Sequence, residues 1–381
     1  MKILLADLDH PLSRIIGRFE SVFQYRTGIF STIARLRRLY ENADFVYLHP
    51  HHGLEQIYSK QIAATGFRDA QSGKAIISQI ESTDTTHQTG TENLLLGGFI
   101  ERRNLIESKL RSEFDEVVYS PTIGLLDDVA EKISADLFLL DRNEFEHRDA
   151  EVIGSKQDLW LHQTGQLSPG VIFNTTNGPI VIDRDCKITP FTYIEGPFYA
   201  APKCHLDNVR ITGGTILGDG CRVGGEIENS IFGRYSNKHH EGFVGHSIIG
   251  NWVNLGALTT TSDLKNNYGQ VRLQLPVDRF PSPASAHETL NTQTIKFGSV
   301  LGDCVKTAIG TMLNTGTVID AGSNIFGGSP PAYVPPLSWG ITGRGYLPGR
   351  FLEDSEKIFA RRDQMLHPGM NDLVALLSHL I

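Results

Sequence analysis

From about residue 180 onward the aliphatic residues recur at every sixth position, a spacing that neither the helical nor the strand period produces. One run reads Ile182, Ile188, Ile194, Ala200 and Leu206, and after a slip a second reads Ile211, Leu217 and Val223. A third reads Phe243, Ile249, Leu255 and Thr261, and a fourth holds phase through Ile295, Leu301, Thr307, Leu313, Ile319 and Ile325. A hexad of this kind is one short strand plus a corner, and three of them close a triangular coil of about eighteen residues whose inward side chains stack on the next coil. The expected architecture is a solenoid. Leu217-Gly218-Asp219-Gly220, Ile249-Gly250-Asn251 and Leu301-Gly302-Asp303 place a permissive residue at the corner after an inward aliphatic. Cys186, Cys204 and Cys221 each follow an inward position by four residues, which makes them a stacked slot for small side chains; no Cys-x-x-Cys spacing suggests a metal.

The period breaks between Thr261 and Ile295, where Pro276, Pro281 and Pro283 lie in an aperiodic insertion of the kind that usually carries function. Beyond Gly328 the segment Ser329-Pro330-Pro331-Ala332-Tyr333-Val334-Pro335-Pro336 reads as a linker, since proline removes a ladder donor. Glu353 to Leu366 and Asp372 to Ile381 read as helices, with Ile358, Phe359, Met365 and Leu366 as an apolar face. The first part differs in kind. Short apolar strands are expected at Lys2–Ala6, Phe45–Leu48, Glu116–Tyr119 and Leu137–Leu140, separated by helical patterns such as Ile29–Tyr40 and Ile123–Ile133, the alternation of an α/β domain. Three parts follow: 1–160, 161–328 and 329–381.

A net charge of −8 argues against a sequence-independent hold on nucleic acid. No apolar run approaches the ~20 residues of a membrane span, and the start turns acidic at Asp7, so a cytoplasmic location without membrane contact is expected.

The most specific stretch is Gly233-Arg234-Tyr235-Ser236-Asn237-Lys238-His239-His240-Glu241-Gly242-Phe243-Val244-Gly245, followed by Ile249-Gly250-Asn251-Trp252-Val253-Asn254-Leu255-Gly256-Ala257. Leu264-Lys265-Asn266-Asn267-Tyr268, and Phe326-Gly327 through Trp339-Gly340, add to it. These residues resemble the hexapeptide-repeat acyltransferases. The whole chain is similar to two-domain bacterial proteins like the bifunctional N-acetylglucosamine-1-phosphate uridyltransferase/glucosamine-1-phosphate acetyltransferase, above all their divergent sugar nucleotidyltransferase branch. The resemblance implies an α/β nucleotidyltransferase-like domain, then a left-handed parallel β-helix, then a short C-terminal helical tail. It implies acetyl-CoA or another acyl-CoA as co-substrate, a nucleotide sugar or sugar phosphate as acceptor, and Mg2+ if the first domain is active. It also implies a homotrimer in which the Ser262–Thr294 loop reaches across to a neighbour. Two departures stand out: Leu8-Asp9-His10-Pro11-Leu12-Ser13-Arg14 replaces the Gly-rich nucleotidyltransferase fingerprint, and Glu228-Asn229-Ser230 stands where glucosamine-phosphate acetyltransferases carry paired lysines.

Matched to the family, His240 is the catalytic base. Acyl transfer from a thioester needs a group that takes a proton from the attacking amine or hydroxyl, and imidazole suits neutral pH; His239 takes the role if the register is off by one. Asn254, Lys265, Asn267 and Tyr268 match positions that contact substrate or shape the site, although Asn254 is equally a corner residue. In the first part, Arg26-Thr27-Gly28 is expected to open the helix Ile29–Tyr40 and to hold a phosphate through Arg26, Gly28 and the helix N-terminus, with Thr27 as an alternative plain N-cap. The rivals are a non-catalytic binding or scaffolding solenoid, and a γ-carbonic-anhydrase-like zinc enzyme using His239, His240 and His246. No metal is expected in the preferred reading. Asp7-Leu8-Asp9 imitates a phosphatase motif without its continuation.

Overall fold

A computed structural model describes residues 150–277 and 286–378 apart from 343 and 368, residues 123–146, and in the first part the segments 2–6, 13–16, 26–39, 44–48 and 116–119 with residues 19 and 24. Asp7, Leu8 and Asp9, Pro281, Pro283 and the last three residues lie outside that set.

In the first part Lys2–Ala6 is the central strand of a parallel sheet, flanked by Asp44–Leu48 and Glu116–Tyr119, as the alternating pattern predicts. Leu137–Leu140 is not a strand. Helix Val129–Asp136 tightens into a 3-10 turn at Leu137–Leu139, and Leu137, Leu139 and Leu140 lie partly buried against the surrounding core. The earlier helix is Thr32–Leu39, later in starting than expected. Ser31 caps it, its Oγ accepting from the Ala34 amide at 3.2 Å.

From Glu151 to Trp339 the chain winds as a parallel β-helix. One face runs from Leu159–His162 through Ile180–Ile182, Phe198–Ala200 and Ile248–Ile249 to Tyr333–Val334. A second runs from Gln166–Leu167 through Lys187–Ile188, Asn237–Lys238 and Lys306–Thr307 to Ser338–Trp339. The stacking therefore passes both expected bounds, 161 and 328. The proline segment is no linker: Tyr333–Val334 pairs in parallel with Val318–Ile319. The preceding coil donates into it, Val318 to the Ala332 carbonyl at 2.8 Å and Asp320 to Val334 at 3.0 Å. Proline lacks the N–H but keeps its carbonyl, and that of Pro335 accepts from the Ser323 hydroxyl at 2.8 Å.

The hexad positions point inward as expected, except Phe243, whose neighbour Val244 is the buried one, and Ile295, which is half exposed. The slips have a cause. Successive partners Lys187, His205, Arg222 and Asn237 are eighteen, seventeen and fifteen residues apart, so the coil between Arg222 and Asn237 is cut short. Its corner is Gly224-Gly225, and Gly224 leaves no room for a Cβ, which would meet the His239 carbonyl at 2.1 Å. Cys186, Cys204 and Cys221 are buried packing residues, their thiols donating to the carbonyls of Ala201, Gly218 and Gly233 one coil on.

Two cores share the first face. Ile180, Ile182, Leu217, Ile249, Leu301 and Ile319 point into the solenoid, while Val181, Ile216, Ile231, Ile248, Val300 and Val318 point out and are equally buried. The outer set packs with Ile15, Ile16, Ile29, Val129 and Ile133 of the first part, and with Phe351, Phe359 and Leu373 of the C-terminal helices Pro348–Ala360 and Met370–Ser378. Burying that strip at about 25 cal/mol per Å2 is what attaches the α/β part to the solenoid. Of the expected helical face, Phe359 is buried and Met365 is exposed beyond the helix end. Arg272–Pro276 and His287–Asn291 form an antiparallel hairpin whose Leu273, Leu275 and Leu290 join the same outer core.

No helix among the described residues is long and apolar enough to cross a membrane.

Candidate functional site

The strand Asn237–Lys238 leads from the second face into the corner His239-His240-Glu241-Gly242. Ile188, Leu206 and Val223 fill the inward position of this face in the coils before, and in this coil the position holds Lys238. The side chain is buried, and its ammonium donates to the Gly224 carbonyl at 3.0 Å and to the carbonyl of His240. Burial pulls it down to about 8, with Glu241 opposing. A buried ammonium is tolerated only where carbonyls saturate it; here the truncated Gly224-Gly225 corner supplies one and the His240 corner the other.

The His240 ring is exposed, 5.2 Å from that of His239. His239 Nε2 approaches Asp207 Oδ2 at 3.5 Å, and its ring lies 5.9 Å from His205. The Nδ1 of His239 and Nε2 of His205 are buried without a hydrogen-bond partner among the described residues, and burial holds the His205 imidazole below its ordinary value. The corner is thus a patch of three imidazoles and two carboxylates, with the free ring at its edge.

Beside it on the second face runs an outward ladder of Lys187, His205, Arg222, Asn237, Asn254, Lys306 and Asn324. Asn254 is a strand residue, not a corner residue; the corner two places earlier is Trp252, at φ 60°. Asn254 accepts from the Asn237 amide at 2.9 Å, and both line a cavity of about 470 Å3 with Arg222, Lys306, Arg361, Arg362 and Tyr235. The far wall comes from the C-terminal helix, held down by a stack in which Trp252 lies 4.4 Å from Tyr235 and 3.8 Å from Phe359.

Lys265, Asn267 and Tyr268 are not gathered there. Lys265 donates to the Gln270 carbonyl at 2.8 Å, Asn267 accepts from the Gly269 amide at 3.0 Å, and Tyr268 stands exposed at φ 52°. They close their own loop as turn residues do.

Arg26 and Gly28 are likewise engaged within the chain. Arg26 is paired with Asp219 at 2.8 Å; burial opposes its charge, but Tyr199, Asp219 and Asp183 outweigh that and raise it further. Asp136 takes the place expected for a phosphate: it accepts from the Phe30 amide at 3.2 Å and pairs with Arg35 at 2.6 Å, and a Cβ on Gly28 would lie 2.5 Å from its oxygen. The carboxylate thus occupies the donors that the sequence suggested for an anion.

His246 sits elsewhere, on the corner between strands Phe243–Gly245 and Ile248–Ile249. Its Nδ1 is 2.7 Å from Asp263 Oδ2, its Nε2 is 3.9 Å from Glu228 Oε1, and Glu228 is paired with Lys296 at 3.0 Å. The hydrogen bond from His246 holds the Asp263 carboxyl below its ordinary range. Glu228, His246 and Asp263 are close enough to hold a cation, whereas His239, His240 and His246 do not form a metal group among the described residues. Lys296 already supplies a positive charge to Glu228.

No family model matches the chain. Against known proteins it is 35% identical over 96 residues to the bifunctional protein GlmU of Paraburkholderia phytofirmans, covering 23% of this chain and 21% of that protein. Against the GlmU of Thermodesulfovibrio yellowstonii it is 35% identical over 80 residues, or 20% and 17% of the two chains. Over those stretches the chain is similar to GlmU. The GlmU-like match spans about a fifth of the length of those relatives. Among solved structures the chain aligns with the acetyltransferase domain of PglB from Neisseria gonorrhoeae at 11% identity, TM-score 0.23, over 90% of this chain and 98% of that one. It also aligns with a mutant perosamine N-acetyltransferase from Caulobacter crescentus in complex with CoA and GDP-perosamine, at 11% identity, TM-score 0.19, over 90% and 95%. The fold of the chain rests on its own strand ladders.

Two features of the site escaped sequence reading. Lys238 was legible in principle, because Phe232, Lys238 and Val244 are six apart and only its charge hid the phase. Arg361 and Arg362 gave no signal beyond their adjacency at the end of a helix.

Proposed function

We propose that this chain transfers an acyl group from acyl-CoA, acetyl-CoA above all, to a sugar phosphate or nucleotide sugar, with His240 as general base. The observation that carries this is the exposed His240 ring on a corner whose backbone is fixed from inside by Lys238, one strand away from the polar ladder of Asn237 and Asn254. The acceptor nitrogen or oxygen attacks the thioester carbonyl carbon, His240 takes the proton that the acceptor loses, and the C–S bond breaks as the thiolate leaves and is reprotonated. Backbone N–H groups of a solenoid corner would stabilise the oxyanion. The GlmU relatives support the reading. Asn254 would contact substrate; Lys265, Asn267 and Tyr268 would do so only by moving with their loop.

A second reading of the base is favoured by one observation: His246, unlike His240, has its ring oriented by a carboxylate, as nucleophile-activating histidines do. Thiol release from acetyl-CoA with a panel of amino sugars, in wild type and in His240→Ala and His246→Ala, tests both; retention of full transfer by both variants overturns the acyltransferase reading.

The first part would bind, and with Mg2+ activate, a nucleotide, but not through Arg26. The assembly proposed with this reading is a homotrimer, for which light scattering at micromolar concentration is the test, a monomer being the contrary result.

A further inference from the structure

The cavity between the second face and the C-terminal helix gathers four cations from two separate elements: Arg222 and Lys306 from the strand ladder, Arg361 and Arg362 from the end of the helix. Among the described residues no carboxylate lines it. Lys306 is partly withdrawn from water by burial, and Arg362 by burial and by repulsion from Arg222; both are held below their ordinary values. A folded chain of net charge −8 that concentrates like charges in one concave site, with Asp354 outside the lining partly offsetting Lys306, carries a destabilising repulsion that a bound anion would relieve. The remaining polar lining consists of neutral donors, the Asn237 and Asn254 amides and the Tyr235 hydroxyl. Planar guanidinium groups flanking an ammonium suit phosphate oxygens, which they can hold in pairs.

We infer that this groove binds a pyrophosphate group. The inference deepens the proposed acyl transfer, on which it rests for its link to the corner: His240 follows Asn237 by three residues, so their backbones are at most roughly 10 Å apart along the strand. A pyrophosphate anchored over Asn237 would place the rest of its molecule within reach of the imidazole. Coenzyme A and a nucleotide sugar both carry this group, and the groove recognises what they share.

The test is calorimetry on the full chain with inorganic pyrophosphate, in wild type, in Arg222→Gln with Arg361→Gln, and in Lys187→Gln as a control from the same ladder two coils away. Among the described residues the side chains of Arg222 and Arg361 make no hydrogen bond or ion pair, whereas Arg362 donates to the Gly220 carbonyl at 3.3 Å, so folding of the double variant should survive; an unchanged thermal midpoint checks this. The expected result is a loss of tenfold or more in pyrophosphate affinity in the double variant and no change in the control. Absence of binding to wild type, or equal affinity of all three proteins, overturns the inference. Titration with coenzyme A and with uridine diphosphate then separates the sources: the one that pyrophosphate displaces, and whose affinity falls in the double variant, is the occupant. The two proposals fail separately. Pyrophosphate held by these arginines in a protein that releases no thiol leaves the groove standing and removes the acyl transfer, while transfer by a protein that ignores pyrophosphate does the reverse.

Discussion

The ammonium of Lys238 donates to the carbonyl of His240, two residues further along the chain. The contact is made from inside the solenoid, at a ladder position that Val223 fills one coil earlier. A charged side chain in an aliphatic stack is thus the support of the exposed corner.

Lys238→Met would keep the volume of the stack and remove the donor. The carbonyls of Gly224 and His240 would lose their partner at a cost of about 1–3 kcal/mol. The pH dependence has a definite sign. Lys238 titrates near 8 when folded against 10.5 in the free side chain, so between those values the unfolded chain binds the extra proton and stability rises with pH. Urea midpoints at pH 7.5 and pH 9.5 should show wild type gaining on the Met variant as pH increases; parallel profiles would mean that the buried amine does not titrate in this window.

His240→Ala should fold normally, because the ring is exposed, and should lower acyl transfer by ~10²–10⁴, about 3–5 kcal/mol in the barrier. His239→Ala should cost much less. If His246→Ala proves the more damaging of the three, the base is the carboxylate-held ring instead, and a rate insensitive to chelator keeps zinc out of the account.

Asp263→Asn should destabilise the chain by about 1–3 kcal/mol near pH 6, since a charge-assisted bond to His246 is lost. The folded carboxyl lies below its ordinary 3.8, so its contribution is present above that pH and disappears as pH falls through the lower, folded value. Denaturant midpoints should therefore converge for wild type and variant in strong acid; a gap that persists there would assign the effect to packing.

Phe359→Ala removes the ring stacked 3.8 Å from Trp252 and should cost about 3–5 kcal/mol. Trp252 and Tyr235 hold left-handed conformations at φ 60° and 59°, strained for bulky residues, and the stack is what offsets the strain. Loosening the helix also withdraws Arg361 and Arg362, so pyrophosphate affinity should fall together with the thermal midpoint. A destabilised protein with unaltered affinity would detach the helix from the groove.

The six-residue period was enough to find the solenoid because every coil repeats one inward demand, and Ile188, Leu206, Leu301 and Ile319 answer it without exception. It failed where a coil was shortened. Counting back six from Ile249 lands on Phe243, whereas the inward residue is Val244, five places before Ile249, and that lost residue is visible only in the strand pairing. The proline segment misled for a different reason: proline lacks only the donor, and here it is the carbonyls of Ala332, Val334 and Pro335 that accept from the preceding coil. At the site, the local motif singles out His240 and Asn254; the first stands exposed on a corner and the second lines a cavity wall. The Arg26 reading was local too, and local motif could not show that Asp219 pairs with Arg26 or that Asp136, more than a hundred positions away, accepts from the amide of Phe30.

The doubly buried first face also limits how the chain can be divided. Val181, Ile216, Ile231, Ile248, Val300 and Val318 would form one continuous greasy stripe along a solenoid expressed alone, and Ile15, Ile29 and Ile133 would lose the surface they are packed on. Truncation at residue 160 should therefore yield an aggregating carboxy-terminal fragment and an amino-terminal one without a settled fold, and heating the intact chain should melt both parts in a single transition. Whatever chemistry each half performs, the two are inherited, folded and lost together.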